Sequence, residues 1–414
     1  MMTDNLTERD GLVFFHQHGS SPCQSTLRSV RGIWLEETDG HRLIDLHGNT
    51  AHHVGYSHPA LVAALKAQID ELPFSPRRFT NASAVGLAEK LLSHWPGAPA
   101  KVLFANSGSD GIEIAMKLAR VATGRHETIS LQGSYHGHGF GAFGLSRTDT
   151  DPRLGPFLPG RHHVAPYWGP GGAERMLSEI EAAFAASETG IACLVAEPIR
   201  TNCHVPPDGL WAEVRRLCDR HGALLIFDEI PTGLGKTGKF FAFEHVGVVP
   251  DAVVLGKALG GGMLPISAVI ADARLNIAPE LDLGHYTHEK NPLTTRAALS
   301  TIEIIESEEL VEAAAAGEKV FFEAVAALSQ KVPAITGARG KGLLLAIELD
   351  LPVMGCEPGR DFERRMLTAL RKEGVSTVFK GQASISFSPP LVISKAEIID
   401  TLERIGRAVQ AVSA

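Results

Sequence analysis

HGALLIFDEIPTGLGKTGKFFAFEHVGVVPDAVVLGKALGGG, residues 221–262, contains two apolar runs, Ala223–Phe227 and Ala252–Leu255. Short apolar runs bounded by polar and glycine residues read as buried strands of a parallel sheet. Each is followed by an ionisable residue in greasy or glycine-rich company, Asp228 after the first and Lys257 after the second. In parallel α/β sheets the carboxyl ends of the strands form the crevice where ligands sit. A carboxylate and a lone amine delivered to one such crevice are what a pyridoxal 5′-phosphate (PLP) site needs. The amine condenses with the cofactor's aldehyde, and the carboxylate keeps the pyridine nitrogen protonated so that the ring can accept electrons. Lys257 lies between Gly256 and ALGGG, so backbone approaches closely and solvating neighbours are few. Desolvation of that kind lowers an amine's pKa and makes it nucleophilic. Nearby, Lys236 and Lys239 read as surface lysines.

FDEIPTGLGKTG followed by LGKALGGG resembles the class III PLP-dependent aminotransferases, the ornithine, GABA and omega-amino-acid group. The similarity runs from about Arg31 to the C-terminus, with several motifs in the family's order. It implies an α/β architecture of PLP fold type I: a large domain with a central, mostly parallel sheet, and a smaller α+β domain from the N- and C-terminal segments. The expected division is an N-terminal segment 1–57 packing with the small domain, a large PLP-binding domain 58–298, and a C-terminal small domain 299–414. The resemblance also implies a homodimer with shared active sites.

Composition agrees with that class. At 414 residues the chain exceeds the size of one growing core, so two domains are expected. A net charge of −8 and the lack of a basic run argue against a nucleic-acid partner. No apolar stretch is long enough to span a membrane, and the polar start MMTDNLTERDG lacks the layout of a signal peptide. Five scattered cysteines without a CxxC point to a reducing, cytoplasmic setting. His47, His52, His53 and His58 lack an acidic or cysteine partner at a ligand spacing, so no metal is expected.

In chain order, residues 1–30 read as a polar leader wrapped over a partner subunit. Arg31–Asn49 alternates like a hairpin with a turn at Asp39-Gly40. A helix opens at Pro59, with Leu61, Leu65 and Ile69 at core spacing. In Lys101–Gly124, a strand runs into Ser107-Gly108-Ser109, and a helix follows with Ile112, Ala115, Met116 and Ala119 on one side. Free amide groups at a helix N-terminus bind a phosphate dianion, and the run resembles the family's phosphate motif, with Asp110 in place of a glutamate. Tyr135, His136 and Gly137 resemble the family's YHG, whose aromatic ring stacks on the cofactor. The resemblance also places Glu197 close to the cofactor, Ile230 against the ring's second face, and Thr287, four residues before Asn291-Pro292, on the partner subunit's PLP phosphate. From Ser300 to Leu328 a long helical region is expected, then strands, and a closing amphipathic helix in KAEIIDTLERIGRAVQ.

Several residues depart from the family pattern. Pro231 replaces a glutamine, Arg200-Thr201 replaces Gln-Gly, and His288, Glu289 and Lys290 bring charges into the loop after Thr287. Most consequential is Ile385-Ser386-Phe387-Ser388-Pro389-Pro390, where serine stands in place of the arginine that grips an α-carboxylate. Such a guanidinium–carboxylate pair in a desolvated site is worth about 2–5 kcal/mol. Its loss points to a primary amine without an α-carboxylate. The HYTHEKNP loop and Ser386 look most like the (R)-1-hydroxy-2-aminoethylphosphonate ammonia-lyases within this family. Arg77, Arg78, Arg200 and Lys290 are the candidate cations for a phosphonate, with Arg200 also a candidate partner for Glu197. An omega-aminotransferase or aminomutase is the alternative. A non-catalytic PLP-binding regulator is disfavoured by the intact reactive residues and the lack of a basic domain.

Overall fold

The computed structural model describes residues 6–15, 23, 25–146, 151–381 and 383–413. A seven-stranded sheet lies at its centre, in the order Ala100–Ala105, Ser267–Asp272, Ala252–Leu255, Leu224–Asp228, Ile191–Ala196, Glu127–Leu131, Arg161–Val164. From Ala252–Leu255 to Arg161–Val164 all neighbours are parallel. Ser267–Asp272 runs antiparallel to both of its neighbours. Every residue of Ile191–Ala196, Leu224–Asp228 and Ala252–Leu255 is buried, as expected of strands covered on both faces.

The two faces feed separate cores, because successive side chains of a strand point to opposite sides. Cys193, Val195, Leu224 and Ile226 pack with Ile112, Ala115, Met116 and Ala119 of the helix Gly108–Thr123. Leu194, Leu225 and Phe227 belong to the other core, with Ile180 of the helix Gly172–Ala186 and Trp211 of the helix Leu210–His221.

Two smaller sheets flank this body. Leu27–Arg31, Trp34–Glu37 and Arg42–Asp45 form one with Val375–Ser376, so the beginning and end of the chain share a sheet. Its hairpin turns at Asp39-Gly40, where Gly40 takes φ +87°. Ile335–Lys341, Leu344–Leu349 and Ser384–Phe387 form an antiparallel sheet, and the helix Lys395–Val412 closes the chain behind a Ser394/Glu397 capping box.

Three expectations change. The helical region around Ser300–Leu328 is two helices, Pro292–Ser307 and Leu310–Ser329; Glu309, at φ +51°, breaks the run so that Leu310 can turn into the core. In the helix Pro59–Glu71 the inward stripe continues from Leu65 to Gln68, whose amide donates to Leu72 O, and Ile69 is left exposed. The leader contains a helix, Leu6–Val13, followed by exposed Phe14 and Phe15; residues 1–5, 16–22 and 24 of it lie outside the described residues. Among the described residues no helix is long and apolar enough to cross a membrane.

Candidate active site

Asp228 ends its strand with both carboxylate oxygens engaged. Oδ1 accepts the Ile230 N–H at 3.0 Å, and Oδ2 accepts His136 Nδ1–H at 2.7 Å. Asp228 and His136 are both buried. The His136 backbone N–H in turn donates to Ser146 Oγ at 2.6 Å. A carboxylate oriented this way is suited to holding a protonated pyridine nitrogen. The His136–Asp228 contact was not visible in the sequence, because it joins loops after two different strands and leaves no local pattern.

Lys257 follows the next strand and opens the short turn Lys257–Gly260 at φ +45°, in the left-handed region that non-glycine residues rarely adopt. Its side chain is open to the cleft, yet the walls crowd it from every side. That burial pulls its pKa below the usual lysine range; Asp228 and Glu197 oppose the shift, and Lys380 adds to it.

The phosphate loop is tied to the same place. Ser267 Oγ, on the antiparallel strand, donates to Ser107 O at 2.6 Å. Ser107 caps the helix Gly108–Thr123 by accepting the Asp110 N–H, and Ser109 Oγ accepts the His138 N–H at 3.0 Å. The loops press together: a Cβ on Gly108 would meet Ile230 Cδ1 at 2.6 Å, and one on Gly137 would meet Ser109 Cα at 2.8 Å. Tyr135 stands 55% exposed, and burial together with the Asp228 charge raises its phenol pKa. A helix N-terminus for a phosphate, an aromatic ring, a branched side chain, a carboxylate and an amine fit PLP. Ser107, Gly108 and Ser109 would hold its phosphate, Tyr135 and Ile230 its ring, and Asp228 its nitrogen. Pro231 brings no side-chain donor to it.

The other side of the cleft is built differently. Arg200 and Glu197, both buried, are in ion-pair contact at 2.5 Å without the alignment of a hydrogen bond. Arg200 Nη2 also donates to Gly133 O at 2.9 Å, and the guanidinium lies 5.3 Å from the centre of the Trp168 ring. Ser386 is fully buried, and its hydroxyl has no hydrogen-bond partner among the described residues. Cys203 is buried too, its thiol pushed up to about 11 by burial.

Lys236 corrects an expectation. It is fully buried rather than on the surface, with Nζ donating to Pro389 O at 2.5 Å. Burial lowers its pKa to about 7, against the opposing pull of Cys203 and Asp45. The glycines around it gave a loop reading, and only the packing of the C-terminal segment over that loop buries it. Lys239 is exposed, as read.

The remaining candidates lie elsewhere in the chain. Arg77 and Glu289 line a cleft with Lys101 and Leu103, while Lys290 lines one with Thr80 and Val102, both beside the edge strand Ala100–Ala105. Arg78 and Thr287 are exposed. Within one chain, only Arg200 of the four substrate-binding candidates is beside Lys257's neighbour Glu197. Among the described residues, no group of three or more metal-donating side chains gathers.

Residues 15–409 match the class III aminotransferase family. The chain is 35% identical to the (R)-1-hydroxy-2-aminoethylphosphonate ammonia-lyase of Vibrio splendidus, over 98% of this chain and 90% of that one. It is 32% identical to the acetylornithine aminotransferase of Mycolicibacterium smegmatis, over 95% of each. An (S)-enantioselective omega-transaminase from Thermomicrobium roseum superposes with a TM-score of 0.89 over 98% of both chains, at 26% identity. The chain therefore belongs to the class III aminotransferase family, PLP-dependent enzymes of fold type I.

Proposed function

We propose that this enzyme is an ammonia-lyase acting on a hydroxylated aminoethylphosphonate or a related amino-alcohol phosphate, giving an aldehyde and ammonia. One observation carries the reading. The position of the carboxylate-gripping arginine is Ser386, buried, with its hydroxyl unpartnered, while nearby Arg200 is committed to Glu197. Among the described residues no guanidinium there is free for the α-carboxylate of an amino acid, which a transaminase must dock in at least one half-reaction. The 35% identity to a lyase of this chemistry supports the reading.

Bound PLP supplies an electron sink for a carbanion at the carbon bearing the substrate nitrogen. Asp228, held by Ile230 and His136, keeps the pyridine nitrogen protonated. Lys257 Nζ, beside Asp228 at the strand ends, would be the base that takes the proton from that carbon. The hydroxyl on the neighbouring carbon departs as water. The carbon–carbon double bond so formed is protonated and hydrolysed, the water returns, and the balance is one aldehyde and one ammonia with no oxidant or acceptor. Assaying ammonia from 1-hydroxy-2-aminoethylphosphonate with and without pyruvate tests this. Equal amounts of ammonia and aldehyde without pyruvate are expected; turnover that stops after one equivalent per site and resumes with pyruvate rejects the lyase.

An omega-aminotransferase is the second reading, favoured by the 32% identity to an acetylornithine aminotransferase. Under either reading we take the enzyme to be a homodimer, with the exposed Thr287 on the partner's phosphate and 58–298 as the large domain. Mixing inactive Lys257→Ala and Thr287→Ala chains under exchanging conditions then restores part of the activity, since one site of the heterodimer lacks neither residue. No recovery overturns the sharing.

A further inference from the structure

Within a run that the sequence marked only as strands, Val378–Lys380 pairs antiparallel with Ser384–Ser386. Ser386 N–H donates to Val378 O at 2.9 Å, Lys380 N–H donates to Ser384 O at 2.7 Å, and Phe379 bridges Ile385. Side chains on paired strands alternate between faces. Ile385 points into the main core with Phe379 packed against it, so Val378, Lys380, Ser384 and Ser386 share the opposite face. That face looks onto the loop after Glu197: Ala346, the sheet partner of Ser386, packs with Ile199 and Cys203. Arg339 staples the two together, donating to Asn202 O, Ser384 Oγ and Lys380 O. Lys380 thus sits across the hairpin from Ser384, one step along the same face from the residue that replaces the arginine.

Four cations surround this face, and three are spent. Arg200 pairs with Glu197, Arg339 pairs with Glu348, and Lys236 is sealed from the cleft beneath Pro389. Lys380 is half-buried, and its ammonium has no carboxylate partner among the described residues. It lies near enough to Lys257 and to His47 for its charge to lower the pKa of both. His47 caps the turn Gly48–Thr50, which packs against the Lys257–Gly260 turn. His47 Nδ1 accepts the Asn49 N–H at 3.4 Å, and with its pKa lowered to about 4, mainly by burial, the ring is neutral with its proton on Nε2.

We propose that Lys380, with His47 Nε2–H as a second donor, binds the dianionic group of the substrate, a phosphonate or phosphate monoester, in place of the missing arginine. Such a ligand suits the pair: the substrate nitrogen takes the place of Lys257, and its anionic group meets Lys380, the cation of this face with no carboxylate partner among the described residues. The substrate class here rests on the function proposed above; the anchor itself does not require elimination.

The test titrates the PLP-loaded enzyme with ethanolamine, 2-aminoethylphosphonate and O-phosphoethanolamine, reading the cofactor's absorbance change. Wild type should favour a dianionic amine over ethanolamine by roughly 30-fold or more, and Lys380→Met should cut that ratio at least tenfold, with Lys380→Arg keeping most of it. Lys380→Gln, read by the same ratio, serves if Lys380→Met does not fold. The tighter of the two dianions identifies the phosphorus group. A wild-type ratio near one, or variants that weaken all three amines equally, overturns the anchor. A Lys380-dependent ratio in an enzyme that releases ammonia only with pyruvate keeps the anchor and rejects the lyase.

Discussion

The two sides of the cleft contrast in how their polar atoms are satisfied. On the side built by the large sheet, Asp228 has both oxygens engaged, Ser107 caps its helix, and Ser267 latches the loop. On the side built by the chain's two ends, among the described residues, Ser386 Oγ, Ser388 Oγ and His53 Nδ1 lack hydrogen-bond partners and His52 Nε2 has only the Asp45 carboxylate at 3.7 Å, against His136 Nε2 and Thr232 Oγ1 on the sheet side. An unpaired buried polar group costs about 1–3 kcal/mol. The first side is arranged for one cofactor shared with the rest of the family. The second carries the buried Ser386 where the resemblance to the family implies an arginine.

The contrast is tested most severely at Lys257. Lys257→Ala should lower kcat by roughly four orders of magnitude or more and remove the bond to cofactor that borohydride makes permanent. A variant that keeps both turnover and the reducible bond ends the assignment. Asp228→Asn should keep some bound cofactor yet lose about 10²–10³-fold in kcat, because an amide no longer holds the pyridine proton by charge. If His136→Asn costs as much, the pair acts as a unit; a smaller loss leaves His136 a positioning residue.

Arg200→Ala should destabilise the fold by about 3–5 kcal/mol, since it strands a buried carboxylate. Adding Glu197→Gln should recover much of that, and a double-mutant cycle in urea measures the coupling. Lys236 gives the contrast a pH dependence. Its folded pKa of about 7 lies below the ordinary 10.5, so between those values the unfolded chain binds a proton that the folded one refuses. Stability from this group is present above pH 10.5 and is lost as pH falls toward 7. Lys236→Met should therefore gain on wild type as pH falls from 10 to 7, by on the order of 3 kcal/mol. Melting temperatures at fixed protein concentration check the sign. Smallest of all, Ser386→Ala should raise stability by about 1 kcal/mol, because it deletes a buried hydroxyl with no partner among the described residues. A large loss would show that the hydroxyl has a partner.

Legibility in the sequence followed the same division. The strands at 224–228 and 252–255, their two ionisable residues and the phosphate helix were read directly, because each sits in a local pattern of apolar run, small residues and helix period. Ser386 was noticed because a short motif showed a gap. Lys380 was not, since nothing local distinguishes a lysine in VFKGQ from a solvated one; its meaning comes from a hairpin that sets it beside Ser386. Lys236 was misread for a related reason. Its burial depends on the carbonyl of Pro389, from the far end of the chain. His136 likewise needed Asp228 to acquire a role.

The antiparallel strand Ser267–Asp272 has a consequence for biosynthesis. It stands between Ala100–Ala105 and the rest of the sheet, and it latches Ser107 in place. A nascent chain that has emerged only as far as Gly262 already owns Ser107, Tyr135, Asp228 and Lys257. Its phosphate loop still has no neighbouring strand to rest on. Contacts separated so widely along the chain form late, and until they do an edge strand is left without its partner. Completion of the phosphate loop therefore waits on a strand that contributes no residue to the chemistry.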